Sequence, residues 1–472
     1  MKICKVYIKG FQQFEDLELD FTNPKTGEPL DKICFIGRNG TGKSTILQVL
    51  YHTIYNFPTS NFFFVPFLLV KVKVENTFFY LLNLNPNYLR SSFGLSLSYS
   101  GTKLIFRPEI EKEEVNWKLE FGSIKDKKHL DLTVTKYSKY LLNSEETTIF
   151  NKSIQFNQNS SNLIIISPAE SESNQYMRID DLPKTDLNTA LSAYKDFPPS
   201  HIISNEKIGE FWTLLIYLIK KRENDFREYE SREENQNKTV KTVKEEFDRV
   251  NPKILNKLSE IWNKILNRAG LEFYVANASN PVQLTDNLKA YIINKYTKET
   301  IPYNALSTGI RNYIFRIGHI YSLYFNREVK RGFLLLDEPE NSLYPDFLFD
   351  WMETFLEIIK DKNGENNTQV FISTHNPIIA AQFEPYERII LEWDENAHVI
   401  SRKGKSPVGD DPNDILTNDF ELKNLMGKEG LAMWDHYVDL KKKLRHAISK
   451  EDKEKIISEM NRIGSDYNFD AA

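Results

Sequence analysis

Gly37 to Thr45 reads GRNGTGKST, and it restricts the possible folds of this chain more than any other stretch. It follows the apolar run Ile33-Cys34-Phe35-Ile36 and precedes Ile46-Leu47-Gln48-Val49-Leu50, which has helical periodicity. Strand, glycine loop and helix in this order are the context in which G-x-x-x-x-G-K-[ST] forms a phosphate-binding loop. Gly37, Gly40 and Gly42 let the backbone turn with its N–H groups inward, an anion nest at a helix N-terminus. Lys43 adds a point charge for the β- and γ-phosphates, and Ser44 a hydroxyl ligand for Mg²⁺. Arg38, Asn39, Thr41 and Thr45 complete the candidate nucleotide-binding stretch. Chance produces such a match about once in fifty chains of this length. The expected ligand is a nucleoside triphosphate.

The rest of the chain must house that unit. Its 472 residues leave room for two to four domains and a large core. Net charge is −5, so nucleic-acid contact is expected only from local patches or through a partner. Cys4 and Cys34 alone provide neither a disulfide framework nor a zinc site built on CxxC pairs. The opening MKICKVYIKGF alternates like a strand and lacks a secretory apolar core. Phe62 to Val74 is too short and too mixed to span a bilayer, so a cytoplasmic location without membrane contact is the expectation.

The expected fold class is α/β, with a head split between residues 1–60 and 300–405. Residues 61–205 read as a β-rich insertion, because Phe, Tyr, Val and Leu recur in short alternating runs from Asn61 to about Leu142. Asn143 to Asn162 is polar and reads as a loop, and Leu163 to Ile166 as a buried strand. Residues 206–299 read as a helical arm whose charged stretch, Lys220 to Val250, is a solvated face or tip. Residues 406–472 read as a C-terminal helical extension.

Phe333-Leu334-Leu335-Leu336-Asp337-Glu338 is an apolar strand ending in two carboxylates. Placed next to the glycine-loop strand, it sets Asp337 beside a Mg²⁺ ion and Glu338 where it can orient or deprotonate water. Leu306-Ser307-Thr308-Gly309 precedes an apolar helix; taken alone, Ser307 is a plain N-cap and Gly309 a turn residue. Ile372-Ser373-Thr374-His375-Asn376-Pro377 closes another apolar strand. That strand should neighbour the Asp337 strand, which makes His375 a candidate γ-phosphate contact.

These pieces in this order resemble the ABC-type ATPase superfamily, in its soluble branch of RecF, SMC and OLD-like heads. GRNGTGKS is similar to Walker A, LSTG to the signature motif, LLLDEPE to Walker B and STHNP to the His switch. The resemblance covers residues 1–55 and 300–400. It implies ATP and Mg²⁺ as cofactors, ATP hydrolysis, and two heads that sandwich ATP. Ser307 and Gly309 would then face the glycine loop of a second copy, so that the working unit is a dimer or larger. Two departures stand out. Tyr344 occupies the position of a histidine in the branch's D-E-P-E-x-x-L-H-P, and none of Gln155, Gln158 and Gln175 is clearly the Q-loop glutamine.

Within that branch, the wide spacing from Lys43 to Ser307 argues against a transporter subunit, and the lack of CxxC against a zinc hook. No N-K-x-D follows the loop, as a GTPase would need. Fewer than a hundred residues follow His375, without Toprim or HNH patterns. Asp410, Asp411 and Asp414 look like a metal cluster but read more simply as an N-cap, with Pro412 at N1 and Asp414 in the first turn. The compact head resembles the ATPase subunits of bacterial antiphage systems, first PtuA of Septu and its retron-associated forms, second the PARIS ATPase. The partner implied is a separate nuclease, HNH and PtuB-like or Toprim, with DNA or retron RNA/DNA as further ligands. The competing reading is a RecF-like repair or recombination ATPase that binds DNA through Lys220-Lys221-Arg222, Lys125 to His129 or Lys441 to Arg445. A third is a scaffold in which ATP is structural.

Overall fold

The computed structural model describes residues 1–56, 65–84, 102–112, 117–124, 127–154, 162–169, 200–203, 208–251, 253–273, 292–301, 305–327, 331–341, 343–349, 351–360, 364–423, 425–467 and 469. It divides into two compact units, Met1–Asp410 and Asp411–Ala472.

The first unit opens with a hairpin of β1 (Lys2–Phe11) and β2 (Phe14–Asp20), paired antiparallel from Lys5 opposite Asp20 to Phe11 opposite Phe14. The apolar β3 (Lys32–Gly37) then feeds through the glycine loop into α1 (Lys43–Asn56). β4 (Phe67–Val74), β5 (Thr77–Leu84) and β6 (Thr102–Phe106) extend the hairpin into a five-stranded antiparallel sheet, ordered β2-β1-β4-β5-β6. Among the described residues, the stretch expected as strands from Asn61 to about Leu142 is strand only as far as Phe106, in a sheet shared with the N-terminus; beyond it, Trp117, Phe121 and Tyr137 are core-facing residues of helices. Three helices follow, α2 (Trp117–Gly122), α3 (Lys127–Tyr137) and α4 (Ser144–Ile154).

Helix α4 occupies the polar stretch expected as a loop, for two reasons. Asn143 Oδ1 accepts from Glu146 N at 2.8 Å, and the Glu146 carboxylate accepts from Asn143 N at 2.9 Å, a reciprocal cap. Phe150 and Ile154, four residues apart on one face, are buried, and the Phe150 ring meets Phe79 edge-on at 4.8 Å.

β7 (Asn162–Ser167) and β8 (Ser200–Ile202) belong to the central sheet. The helical stretch after them comprises α5 (Ile208–Glu230), α6 (Val240–Val250) and α7 (Ile254–Leu266). Within 220–250 the end of α5 packs against α6. Arg222 binds Asp248 and donates to Asn251 O at 2.9 Å, while Phe226 and Tyr229 lie 5.2 and 5.5 Å from the Phe247 ring. A small antiparallel sheet follows, of β9 (Leu271–Phe273), β10 (Ile292–Asn294) and β11 (Thr300–Ile301).

The long α8 (Thr308–Arg327) is next. It is stapled to α7: Trp262 Nε1 donates to Ile314 O at 3.1 Å, and Tyr313 Oη to Ile261 O at 3.3 Å. Gly318 makes this packing possible, since a Cβ there would sit 2.5 Å from Trp262 and 2.8 Å from Phe211. β12 (Arg331–Asp337), α9 (Trp351–Ile359), β13 (Asn367–Ser373), the single turn α10 (Pro377–Ala380), β14 (Arg388–Trp393) and β15 (Val399–Lys403) complete the unit.

The central sheet has seven strands in the order β15-β14-β3-β13-β12-β7-β8, all parallel except β15, so the strands around β3 are the nearly continuous apolar runs that burial on both faces demands. Gln369 joins the two large sheets. Its side chain, fully buried in β13, accepts from Ile3 N at 2.7 Å and donates to Ile3 O and Leu30 O, both at 2.9 Å.

The second unit consists of α11 (Pro412–Asn418), α12 (Lys428–His446) and α13 (Lys450–Tyr467). Asp411 is the cap expected of it: its Oδ1 accepts from Asn413 N at 2.7 Å, with Pro412 at N1. Helices α12 and α13 bury Tyr437, Leu440 and Ile463 between them. No helix among the described residues is long and apolar enough to cross a membrane.

Candidate functional site

The glycine loop is built by backbone conformation and then locked from within. Gly40 and Gly42 have φ of +86° and +89°, the left-handed region that costs other residues strain. A Cβ on Gly42 would also lie 2.1 Å from Gln13 Nε2 and 2.4 Å from the Phe14 ring, because the β1–β2 turn reaches over the loop. Thr41, buried, donates through Oγ1 to Arg38 O at 2.8 Å, and Ile46 N donates to Gly42 O at 2.9 Å as α1 begins. Lys43 is 6% exposed, and its ammonium donates to Gly37 O at 2.9 Å and Arg38 O at 3.4 Å. Burial holds the Lys43 pKa below the ordinary lysine range, while the charges of Glu338 and Asp337 act the other way. Arg38, Asn39, Gly40 and Ser44 are exposed, and Thr45 is half-buried.

The carboxylate strand does not lie directly beside the loop strand. β13 sits between β3 and β12, so the strand ending in Ser373-Thr374-His375 touches both. This corrects the order expected from the sequence, while the expectation that the His375 strand neighbours the Asp337 strand holds. Phe35, Ser373 and Asp337 lie in one row across the three strands. Ser373 Oγ donates to Asp337 Oδ1, and Glu338 N donates to Ser373 O at 3.0 Å.

Glu338 has a φ of +41°, a strained backbone for a residue other than glycine. Its carbonyl accepts from Arg316 of α8 at 3.2 Å, and its Oε2 accepts from Asn341 Nδ2 at 3.0 Å. Its other oxygen, Oε1, lies 3.1 Å from His375 Nε2. Burial, and next the nearby Lys43 charge, hold the His375 pKa below the ordinary histidine range. The ring is then neutral near pH 7 and in close polar contact with the Glu338 carboxylate.

Ser307 and Gly309 stand apart from this cluster. Ser307 is exposed at the start of α8, where its Oγ accepts from Ile310 N at 3.4 Å; Gly309 is buried. Nine residues separate Ser307 from Arg316, about 13 Å of helix at ~1.5 Å per residue. The middle of α8 thus holds the Glu338 carbonyl through Arg316, while its N-terminal end presents Ser307 to solvent.

The reading of motifs missed Arg316, Ser373, Thr374 and Glu340, which hold the candidate residues in place. Their signals were faint: a second carboxylate two positions after Glu338, hydroxyls ending an apolar strand, and one arginine in an apolar helix. Gln155, Gln158 and Gln175 lie outside the described residues. The two cysteines are buried, with thiol pKa values raised by that burial, Cys4 to about 12.

The donors fit the ligands that the motifs imply. Gly40 and Gly42 give the loop its left-handed backbone, a Cβ on Gly42 would strike Gln13 and Phe14, and Lys43 is anchored to the loop carbonyls of Gly37 and Arg38. Ser44 and Asp337 offer oxygen donors only, the hard set that Mg²⁺ accepts alongside phosphate oxygens.

Comparison with curated proteins finds no match. Among solved structures, the SMC head domain from Thermotoga maritima is similar at 12% identity and a TM-score of 0.39, covering 86% of this chain and 100% of that one. A family model described as "AAA ATPase domain" matches residues 1–380, which includes the glycine loop, the Asp337–Glu338 turn and His375. The chain belongs to the AAA ATPase domain family.

Proposed function

We propose that this chain binds ATP with Mg²⁺ and hydrolyses it at a site completed by a second copy. The observation that carries the reading is the convergence at adjacent strand ends of Lys43, Asp337 and the Glu338–His375 pair, three motifs far apart in sequence. The glycine-loop N–H groups and Lys43 would hold the phosphates, with Gly37 to Thr45 lining that stretch. Ser44 and Asp337 would hold Mg²⁺, which neutralises charge on the phosphate oxygens. Glu338 would accept a proton from the attacking water, with His375 in contact with its Oε1 helping to keep the carboxylate in place. The exposure of Ser307, and its distance along α8 from the Glu338 support, favour its action on the nucleotide of the facing protomer.

At the level of the organism, the resemblance to PtuA of Septu, and secondarily to the PARIS ATPase, supports a regulatory subunit in antiphage defence. In this reading the nucleotide state of paired heads controls a separate HNH or Toprim nuclease. The domain division into split head, insertion, arm and C-terminal extension belongs to the same proposal. The test is to purify the chain and assay phosphate release and DNA cleavage, alone and with nucleases encoded beside it. Expected are Mg²⁺-dependent ATP turnover and cleavage only with the partner. Robust cutting by this chain alone would overturn the regulatory role. Tight DNA binding by the head without any nuclease would favour the RecF-like alternative.

A further inference from the structure

Glu340 is two residues beyond Glu338 and only 7% exposed. Oε1 accepts from Thr374 Oγ1, and Oε2 has no hydrogen-bond partner. Burying a carboxyl group with one bare oxygen costs free energy that an apolar side chain of similar size would avoid. The charges facing it are Glu338 on its own turn and Arg316 on α8; Cys34 faces it from β3. Burial pushes its pKa up to about 7; the Thr374 hydrogen bond and the Arg316 charge oppose this, and the Glu338 charge adds to it.

Its single side-chain bond joins two turns. Thr374 Oγ1, the donor to Glu340, also accepts from Asn376 N at 2.9 Å, and Thr374 N donates to Phe35 O at 3.1 Å. His375 is therefore fixed between two residues that Thr374 ties down. On the other side, Glu338 N is bound to Ser373 O at 3.0 Å. The Glu340–Thr374 bond thus links the turn carrying Glu338 to the turn carrying His375, next to the place where their side chains meet at 3.1 Å.

We propose that Glu340 is a positioning residue: through Thr374 it sets the spacing of Glu338 and His375, and so the aim of the group that accepts the proton from water. This rests on the hydrolytic role given to Glu338 above. An acceptor oxygen facing Thr374 is what the role requires; a charge is not. Glu340→Gln retains such an oxygen, and Glu340→Ala does not.

Steady-state kinetics with ATP and Mg²⁺ on the full chain, together with the ¹⁵N imidazole resonances of His375, test the idea. Glu340→Ala and Thr374→Val should each lower kcat about 10- to 100-fold with KM changed less than about threefold, since misplacement by an ångström has effects of that size. Their combination should be no worse than either alone, because they break one bond. Glu340→Gln should restore most of the turnover. The imidazole signals should move in the alanine and valine variants and stay in the glutamine one. Glu338→Gln in the same assay keeps the two ideas distinct. If it turns over like wild type, the hydrolytic assignment fails, while the imidazole signals still report on Glu340. Unchanged kcat and unchanged signals in Glu340→Ala, or a Glu340→Gln as poor as the alanine, would overturn the proposal. Should Glu340→Ala not fold, Thr374→Val with unchanged kcat and signals does the same.

Discussion

Glu338 Oε1 and His375 Nε2 lie 3.1 Å apart at the ends of two neighbouring parallel strands, where burial and then the Lys43 charge depress the histidine pKa. The contact gives the carboxylate one fixed oxygen. Glu338→Gln should therefore bind ATP with wild-type affinity and turn over at least 100-fold more slowly, because an amide does not accept the proton. Calorimetry and phosphate release measure the two halves. Unchanged turnover would assign the water to another residue.

Lys43→Ala should lower ATP affinity by two orders of magnitude or more, since the backbone nest loses its one anchored side-chain cation. The fold should tolerate the change, because the lysine bonds only to two carbonyls of its own loop, those of Gly37 and Arg38. Equal calorimetric affinity in both proteins would remove the loop from the account.

Glu340 links stability to pH. Its folded pKa is about 7 against an ordinary value of 4.5, so the folded state prefers the protonated form. The resulting stability is fully present below about pH 4.5 and is lost as pH rises through 7; the difference is at most about 3 kcal/mol. Glu340→Gln should thus gain on wild type between pH 5.5 and pH 8.5 in thermal melts. A constant difference in Tm across that range would argue against a protonated Glu340.

Gln369→Leu should destabilise the first unit by about 2–5 kcal/mol, because Ile3 N, Ile3 O and Leu30 O would lose buried partners at once. Denaturant melts measure this. A loss under about 1 kcal/mol would mean that the other links between the sheets, such as Ser401 Oγ to Glu18 O, hold the junction without Gln369.

Much of the site was legible from local sequence, and the reason is physical. A glycine loop between an apolar strand and a periodic helix is specified within a dozen residues, as are the apolar strands ending at Asp337 and Ser373. The cap at Asp411 was equally local. What escaped was non-local. Nothing within β3, β12 or β13 says which lies in the middle, since each carries only a similar short apolar run. Strand β4 carries no mark that its partner is β1. Helix α4 was hidden by its polar surface, although Asn143 and Glu146 at capping-box spacing, with Phe150 and Ile154 on one face, were there to be read. Glu340 looked like an ordinary acidic turn residue, because burial is a property of the assembled turns rather than of the motif.

The most direct test of the account is complementation between two dead chains. Lys43→Ala disables the loop of its own chain, and Ser307→Arg blocks the exposed surface expected to face the partner's nucleotide. In a mixed dimer one composite site carries both lesions and the other carries none. An equal mixture should recover roughly a quarter of wild-type ATP turnover, since half the dimers are mixed and each holds one intact site of two. Turnover no higher than the two parents, in a sample where native mass spectrometry shows the mixed dimer, would contradict a site shared between two copies.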